Sequence, residues 1–554
     1  MVRGLFSLLL ALLIVLAFST CGGTGKNGGS ATKATKTVEA ATQSPTAFTD
    51  TDEDSPFGCY KETVTISTGT TENASAVYPE GDDITNNIWT RAYLERFNIR
   101  LVTDWVTDEY DKKINLAITS GDLPDVVHVN ASQLKQLVDE GLICDLTEAY
   151  KKYASPRIRG YMDADVDSFN TAKFDGKLMA LPQMHWGIID QPDYIWIRND
   201  WKEQLGLEDP KTMDDIKNTC LAFMKEHGGF GITTDKTLDY LYLMAIAWHA
   251  YPDMWIKNSS GKIVYGSVQP EMKAALQAWA EWYKLGILNP DFAISDFNAV
   301  VTANASGKVG VQPCYQWWGY KIGVDVVKNL GREAIFYPYA IPSADGKPVY
   351  QSVFFPNSSY TVVSKKCKNP EVAIKLINLY GYMVDDSIGM ESKETISEFL
   401  DNDMAHVVGA FRVLNPDCDY DQFDKVASAL KTGNTSVFTT SGMWQKYNNS
   451  SEYKKYGTPG TVGDFLQQGA GKCAYGLARQ ILDSNMYFKS ELWGATPEVL
   501  LNYGTTLEDL LTEGYTKIIM GGEPIDYFEN VVENWYSAGG QAATDAMNEA
   551  YGDK

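Results

Sequence analysis

Ser120-Gly121-Asp122-Leu123-Pro124-Asp125-Val126-Val127 joins two segments of different period. The residues before it, Glu109 to Thr119, read as a helix, and its own end opens the strand Asp125–Val129. The same alternation extends outward in both directions. Upstream, Thr63–Ser67 is a strand with Val64 and Ile66 on one face, followed by a helix over Ile84–Phe97 and a strand over Ile99–Val106. Downstream, a helix runs through Val138, Lys177–Leu181 and Tyr194–Arg198 are strands, and Thr212–His227 is a helix. Pro270–Leu285 carries Met272, Ala275, Leu276, Trp279 and Tyr283 at helical spacing. Val309–Val311 and Tyr360–Ser364 are short strands, and a helix opens at Pro370. The C-terminal part is mostly helical, with Leu507, Leu510, Leu511, Ile518 and Ile519 on one apolar face. Strands alternating with helices imply α/β architecture, with a mainly parallel sheet covered by helices and two lobes along the chain. No internal repeat is visible.

The chain has 554 residues, enough for two to four domains, and 48 Lys+Arg against 71 Asp+Glu give a net charge of −23. That balance argues against nucleic acid or anionic lipid head groups as the main partner, since both are polyanions. Apolar residues make up 44% and charged residues 21%, so the body is globular rather than disordered. Aromatics reach 12%, and aromatic faces are a common means of holding flat apolar or sugar surfaces.

The N-terminus reads as an export signal over residues 1–20. Arg3 supplies positive charge, and Leu5 through Phe18 is an apolar stretch broken only by Ser7, too short to span a bilayer comfortably. Cys21 followed by Gly22 and Gly23 has the form of a lipid-bearing cysteine, whereas Ala17-Phe18-Ser19 suits an ordinary cut after Ser19. Residues 21–59 read as a flexible tether, rich in Gly, Ser, Thr, Ala and Lys and then acidic from Asp50 to Asp54. The expected location is the outer face of a bacterial cell membrane, with the chain anchored through Cys21.

No catalytic or metal-binding constellation stands out. Gly-x-Ser-x-Gly and His-Glu-x-x-His are absent, and Gly469-Ala470-Gly471-Lys472 lacks the rest of a phosphate loop. Asp163-x-Asp165-x-Asp167 matches the start of a calcium loop, but Ser168 and Phe174 stand where its glycine and bidentate glutamate belong. No metal and no cofactor are expected. Cys59, Cys144, Cys220, Cys314, Cys367, Cys418 and Cys473 are scattered, odd in number and without a Cys-x-x-Cys pair, which favours buried free thiols.

Several segments together resemble family 1 extracellular solute-binding proteins of ABC transporters, in particular the LplA-like, oligosaccharide-directed lipoprotein branch. They are the Ser120–Val127 stretch; Gly176-Lys177-Leu178-Met179-Ala180-Leu181-Pro182; Ile197-Arg198-Asn199-Asp200-Trp201 with Leu205-Gly206-Leu207; Gly307-Lys308-Val309-Gly310-Val311; Lys368-Asn369-Pro370-Glu371-Val372-Ala373-Ile374; and Lys517-Ile518-Ile519-Met520-Gly521. The resemblance covers about Lys61 to Tyr551. It implies a two-lobed periplasmic-binding-protein type II fold with hinge strands between the lobes. The expected N-terminal lobe is 60–184 with 357–415, and the C-terminal lobe 185–356 with 416–554. The chain first crosses near Gln183–Gly187, returns near Asn357, and crosses again between about Asn402 and Gln422.

A pyranose packs its C–H face on an indole, while its hydroxyls need polar partners. Trp317 and Trp318 follow the Val309–Val311 strand on a loop, Trp186 lies in the first crossing, and the resemblance places Trp493 beside the cleft. Trp248 ends an apolar helical stripe, while Trp279 and Trp282 fit core packing. Glu72 and Asn73 past the first strand, Gln316 beside the Trp pair, and Asn357 at the return crossing are the polar candidates. The expected function is that of a monomeric, lipid-anchored substrate-binding subunit that hands an oligosaccharide to ABC permease subunits. The alternatives are a secreted polysaccharide-cleaving enzyme and a ligand-sensing partner of a membrane histidine kinase.

Overall fold

Strand β1 (Val64–Thr71) runs parallel to β2 (Ile99–Thr107), with α1 (Ile88–Phe97) as the crossover. The computed structural model describes residues 52–71, 78–185, 187–357, 359–383, 409–438, 441–469 and 471–552. Asn87 starts α1 by a capping box with Thr90, which fixes the face that buries Ile88, Trp89, Ala92, Tyr93 and Phe97. Helix α2 (Tyr110–Ser120) ends at Gly121, whose φ of 65° is in the left-handed region that glycine enters without cost. Strand β3 (Val126–Val129) is aligned with β1 by two reciprocal bonds, Ser67 N to Asp125 Oδ2 at 2.8 Å and Asp125 N to Ser67 Oγ at 3.0 Å. Helix α3 (Ala131–Asp139) follows, and β4 (Leu181–Pro182) closes this part of the chain.

The middle of the chain builds a different sheet. Strand β5 (Asp193–Arg198) lies between β6 (Val311–Tyr315) and β7 (Phe336–Ala340), antiparallel to both. Strand β8 (Tyr360–Val363) then returns to the first part of the chain and inserts between β3 and β4, antiparallel to both, in a sheet separate from β1–β2. The expectation of a mainly parallel sheet is therefore corrected. A strand arriving late from the other lobe enters in the opposite direction, and alternation along the sequence does not reveal it. The strand expected at Val309–Val311 is also displaced to Val311–Tyr315. Pro313 reads as a break, yet β6 is an edge strand, where a missing N–H costs no ladder bond; Pro338 sits in the opposite edge, β7.

Apolar packing divides accordingly. One core runs from Ile66 to Met184 and takes in Tyr360–Met383, Phe411 and Val413. A second joins Ile195 through Phe292 to the C-terminal helices from Leu507 to Tyr551, and a third surrounds Trp196, Trp318 and Phe336. Two connections between these cores lie side by side: Leu414 N donates to Gln183 O at 2.8 Å. Gly187, φ 113°, rests against Pro416, where an added Cβ would lie 2.2 Å from the carbonyl oxygen.

The end of the expected tether is fixed rather than free. Lys375, fully buried, donates from Nζ to the carbonyls of Glu53, Ser55 and Gly58 at 2.9, 3.0 and 2.7 Å. Three acceptors use all three ammonium protons. The seven cysteines from Cys59 to Cys473 are free thiols, five of them buried. No helix among the described residues is long and apolar enough to cross a membrane.

Candidate functional site at the end of the central sheet of the second lobe

Tyr315, the last residue of β6, pairs with Asp193, the first of β5. The loop leaving β6 and the connection entering β5 therefore emerge at one end of the sheet, beside the crossing that carries Gly187. Trp317 is half-buried there, stacked on Tyr315 at 5.7 Å and edge-on to Phe297 at 6.0 Å. Trp318 is not a cleft residue in this structure. It is 1% exposed, stacked on Trp196 at 5.1 Å and packed on Phe336 at 4.7 Å. Adjacent side chains leave the backbone in different directions, so one indole enters the core and the other stays at its edge.

Gln316 belongs to a polar chain. Gln467 Nε2 donates to Gln316 Oε1 at 2.8 Å, and the Tyr320 hydroxyl lies 2.8 Å from Gln467 Oε1 and 2.7 Å from Asp464 Oδ1. Asn449 Nδ2 donates to Asp464 Oδ2 at 2.7 Å. Tyr320 and Gln467 each sit on a single π-helical turn, Gly319–Gly323 and Phe465–Gly469. Such turns are rare and recur at functional sites.

Asp190 adjoins this chain. The Tyr475 hydroxyl donates to its Oδ1 at 2.8 Å. Asp419, which opens α4 (Cys418–Thr432), pairs with Lys446 of α5 (Ser441–Tyr456), and Lys446 also donates to Gln422 at 3.2 Å. Tyr475 lies on α6 (Ala474–Asp483). Burial and then the Asp419 charge push the Asp190 carboxyl well above the usual carboxylate range, against the pull of Tyr475 and Lys446.

A second group of the expected residues lies where the lobes touch. Trp493 is half-buried, 5.3 Å from Phe355, with the Lys489 ammonium 4.9 Å from its ring centre and its Nε1 without a partner. Its loop reaches the first lobe: Ser132 Oγ donates to Thr496 O at 3.2 Å, and Lys489 pairs with Asp167 at 2.6 Å. Asn357 is 3% exposed, and neither amide atom has a hydrogen-bond partner; burial raises the pKa of the neighbouring Tyr360 hydroxyl to about 12, against smaller lowering effects of Thr171 and the Asn357 amide. Tyr360 in turn bonds Thr171 at 2.6 Å.

Trp248 is half-buried at the edge of the second core. It lies edge-on to Trp279 and Trp282 at 6.2 and 6.1 Å, held by the second core. Trp186, Glu72, Asn73 and Cys21 lie outside the described residues. Two of the acidic triplet serve other contacts: Asp165 accepts from His185 Nε2 at 2.7 Å, and Asp167 takes Lys489. No group of metal-ligating side chains is assembled among the described residues. Asp190, Tyr320, Asp419, Lys446, Gln467 and Tyr475 escaped the sequence reading because they come from distant segments with no local pattern. Only the position of Asp190 just past the first crossing was a signal.

Two lobes joined by adjacent connections, with a polar and aromatic site where the connections enter one lobe, define a two-lobed α/β binding protein. A model of the bacterial extracellular solute-binding protein family matches residues 81–381, more than half of the chain, and the chain belongs to that family. The fructooligosaccharide ABC transporter substrate-binding protein FusA of Streptococcus pneumoniae serotype 4 is 25% identical over 232 residues, 38% of this chain and 43% of that protein. The polygalacturonan/rhamnogalacturonan-binding protein YtcQ of Bacillus subtilis is 24% identical over 231 residues, 39% of this chain and 44% of that protein. These alignments thus span less than half of either relative. The solved structure of an HMO binding, ABC-transporter associated solute-binding protein from Bifidobacterium longum infantis shares the fold, with a TM-score of 0.59 and 15% identity over 88% of this chain and 98% of that one.

Proposed function

We propose that this protein captures an oligosaccharide between its lobes and delivers it to the permease subunits of an ABC importer, acting as a monomer anchored outside the membrane through Cys21. The lobes divide as 60–184 with 357–415, and 185–356 with 416–554. Ligand that touches both lobes favours the closed state by its differential affinity, and the permease recognises that state. The observation that carries this reading is Trp317: a half-buried indole stacked on Tyr315, next to Gln316 and its chain of amides and hydroxyls. An apolar plate beside fixed donors and acceptors is what a sugar ring needs. Trp493, Asn357, Trp186, Glu72 and Asn73 are proposed to complete the cleft. Family membership and the names of FusA and YtcQ support the sugar class.

The test is a thermal-shift screen of the purified protein against neutral, amine-bearing and acidic oligosaccharides, with each hit incubated and assayed for new reducing ends. Stabilisation without new reducing ends is the expected result. Absence of any stabilising saccharide, or release of new ends, overturns the proposal.

A further inference from the structure

We propose that the oligosaccharide carries unacetylated amino-sugar residues, and that Asp190 receives their ammonium group. This rests on the oligosaccharide reading of the cleft and narrows it to one chemical class.

Three other carboxylates of this region already have strong partners. Asp419 is paired with Lys446, Asp464 accepts from Tyr320 and Asn449, and Asp165 accepts from His185. Asp190 differs. Its Oδ1 takes one neutral donor, the Tyr475 hydroxyl, and among the described residues no cation lies within ion-pair distance of it. The ammonium that acts on it from farther away, Lys446, is held by Asp419 and Gln422. A half-buried carboxylate beside a second one is unfavourable when ionised, and an opposite charge delivered by a ligand removes that penalty. The resulting N⁺–H···O⁻ bond is of the strong, charge-assisted kind.

A second observation comes from the adjacent π-helical turn. Gln468, next to Gln467, is 2% exposed, and neither its Nε2 nor its Oε1 has a partner. The turn packs against α4, α5 and α6, the helices that supply Asp419 and Gln422, Lys446 and Asn449, and Tyr475. A buried side-chain amide with all its bonds unmade is costly, and a polar ligand group that reaches it removes that cost. Trp317 and Tyr315 supply ring faces that attract a cation as well as a sugar. A uronic acid chain, by contrast, would bring carboxylates against Asp190 and Asp419 in a protein already at −23.

The experiment titrates the purified protein by calorimetry with three tetramers of equal length: β-1,4-linked glucosamine, its N-acetylated form, and galacturonate. Glucosamine tetramer is expected to bind at least tenfold more tightly than either of the others, and Asp190→Asn to reduce that preference below twofold without lowering the melting temperature substantially. Tyr475→Phe, which removes only the hydroxyl on Asp190, is expected to shrink the preference in the same direction and serves if Asp190→Asn does not fold. Equal or weaker binding of the glucosamine tetramer, alongside binding of another oligosaccharide from the screen, overturns the amine assignment and leaves the oligosaccharide reading standing. Failure of every saccharide in the screen overturns both.

Discussion

Trp318 lies face to face with Trp196, their ring centroids 5.1 Å apart and their planes inclined by 17°, while its neighbour Trp317 turns the other way onto Tyr315. Two adjacent indoles thus serve different purposes. One closes the core behind β5, and the other borders the open end of the same sheet. The pair makes the distinction between stability and binding measurable with two single substitutions.

Trp318→Ala is expected to cost about 3–5 kcal/mol, the usual range for truncating a large buried aromatic. Chemical denaturation of the variant against the wild-type protein checks this. A loss below about 1 kcal/mol would show that the indole is not packed as described.

Residues Glu53 to Gly58 should be released by Lys375→Met, because their carbonyls lose the three donors of a buried ammonium. The expected outcome is a melting temperature several degrees lower and new protease cleavage at Lys61. Limited proteolysis followed by mass spectrometry reads both segment and site. Unchanged protection would mean that the segment is held by other contacts.

Acid stability should depend on Asp165. Burial acts to raise its pKa, but bonds from His185 and from the Ser168 side chain and backbone prevail and hold it at about 2. A carboxyl depressed in the folded state stabilises the fold fully above its unfolded pKa of about 3.9, and that stability disappears as pH falls to the folded value. The window is therefore about pH 4 down to about 2, and the contribution roughly 2 kcal/mol. Asp165→Asn is expected to lower stability at pH 6 by that order and to flatten its fall across the window. Parallel loss of stability in variant and wild type throughout would contradict the assignment.

Cys21→Ser is expected to move the protein from the membrane fraction to the medium and to abolish palmitate labelling. Wild-type protein found wholly in the medium and unlabelled would favour cleavage after Ser19.

The fold was legible where one element determined its own surroundings. Val64 and Ile66 announce β1, and Gly121 ends α2 locally, whereas the helix expected from Ile84 begins only at Ile88, behind the Asn87 cap. Sheet direction was not legible, because the partner of β3 is β8, which lies far along the chain and reaches it only after a detour through the other lobe. Pro313 misled for a related reason: whether a proline ends a strand depends on whether that strand is an edge, a fact of topology. Among the site residues, Trp317 and Gln316 could be proposed from their place after a strand. Trp318 could not be told from Trp317, since the separation of their side chains is settled by Trp196 and Phe336. Asp190 gained its character only when Asp419 and Tyr475 were brought beside it.

If the Trp317 end of the β6–β5–β7 sheet holds an oligosaccharide, as proposed, calorimetric titration of Trp317→Ala reads the loss of its ring face. With a saccharide identified by the screen, the variant is predicted to melt within a few degrees of the wild-type protein and to bind at least tenfold more weakly, a loss of about 1.4 kcal/mol or more. A variant that folds as well and binds that saccharide with undiminished affinity would remove Trp317 from the binding site.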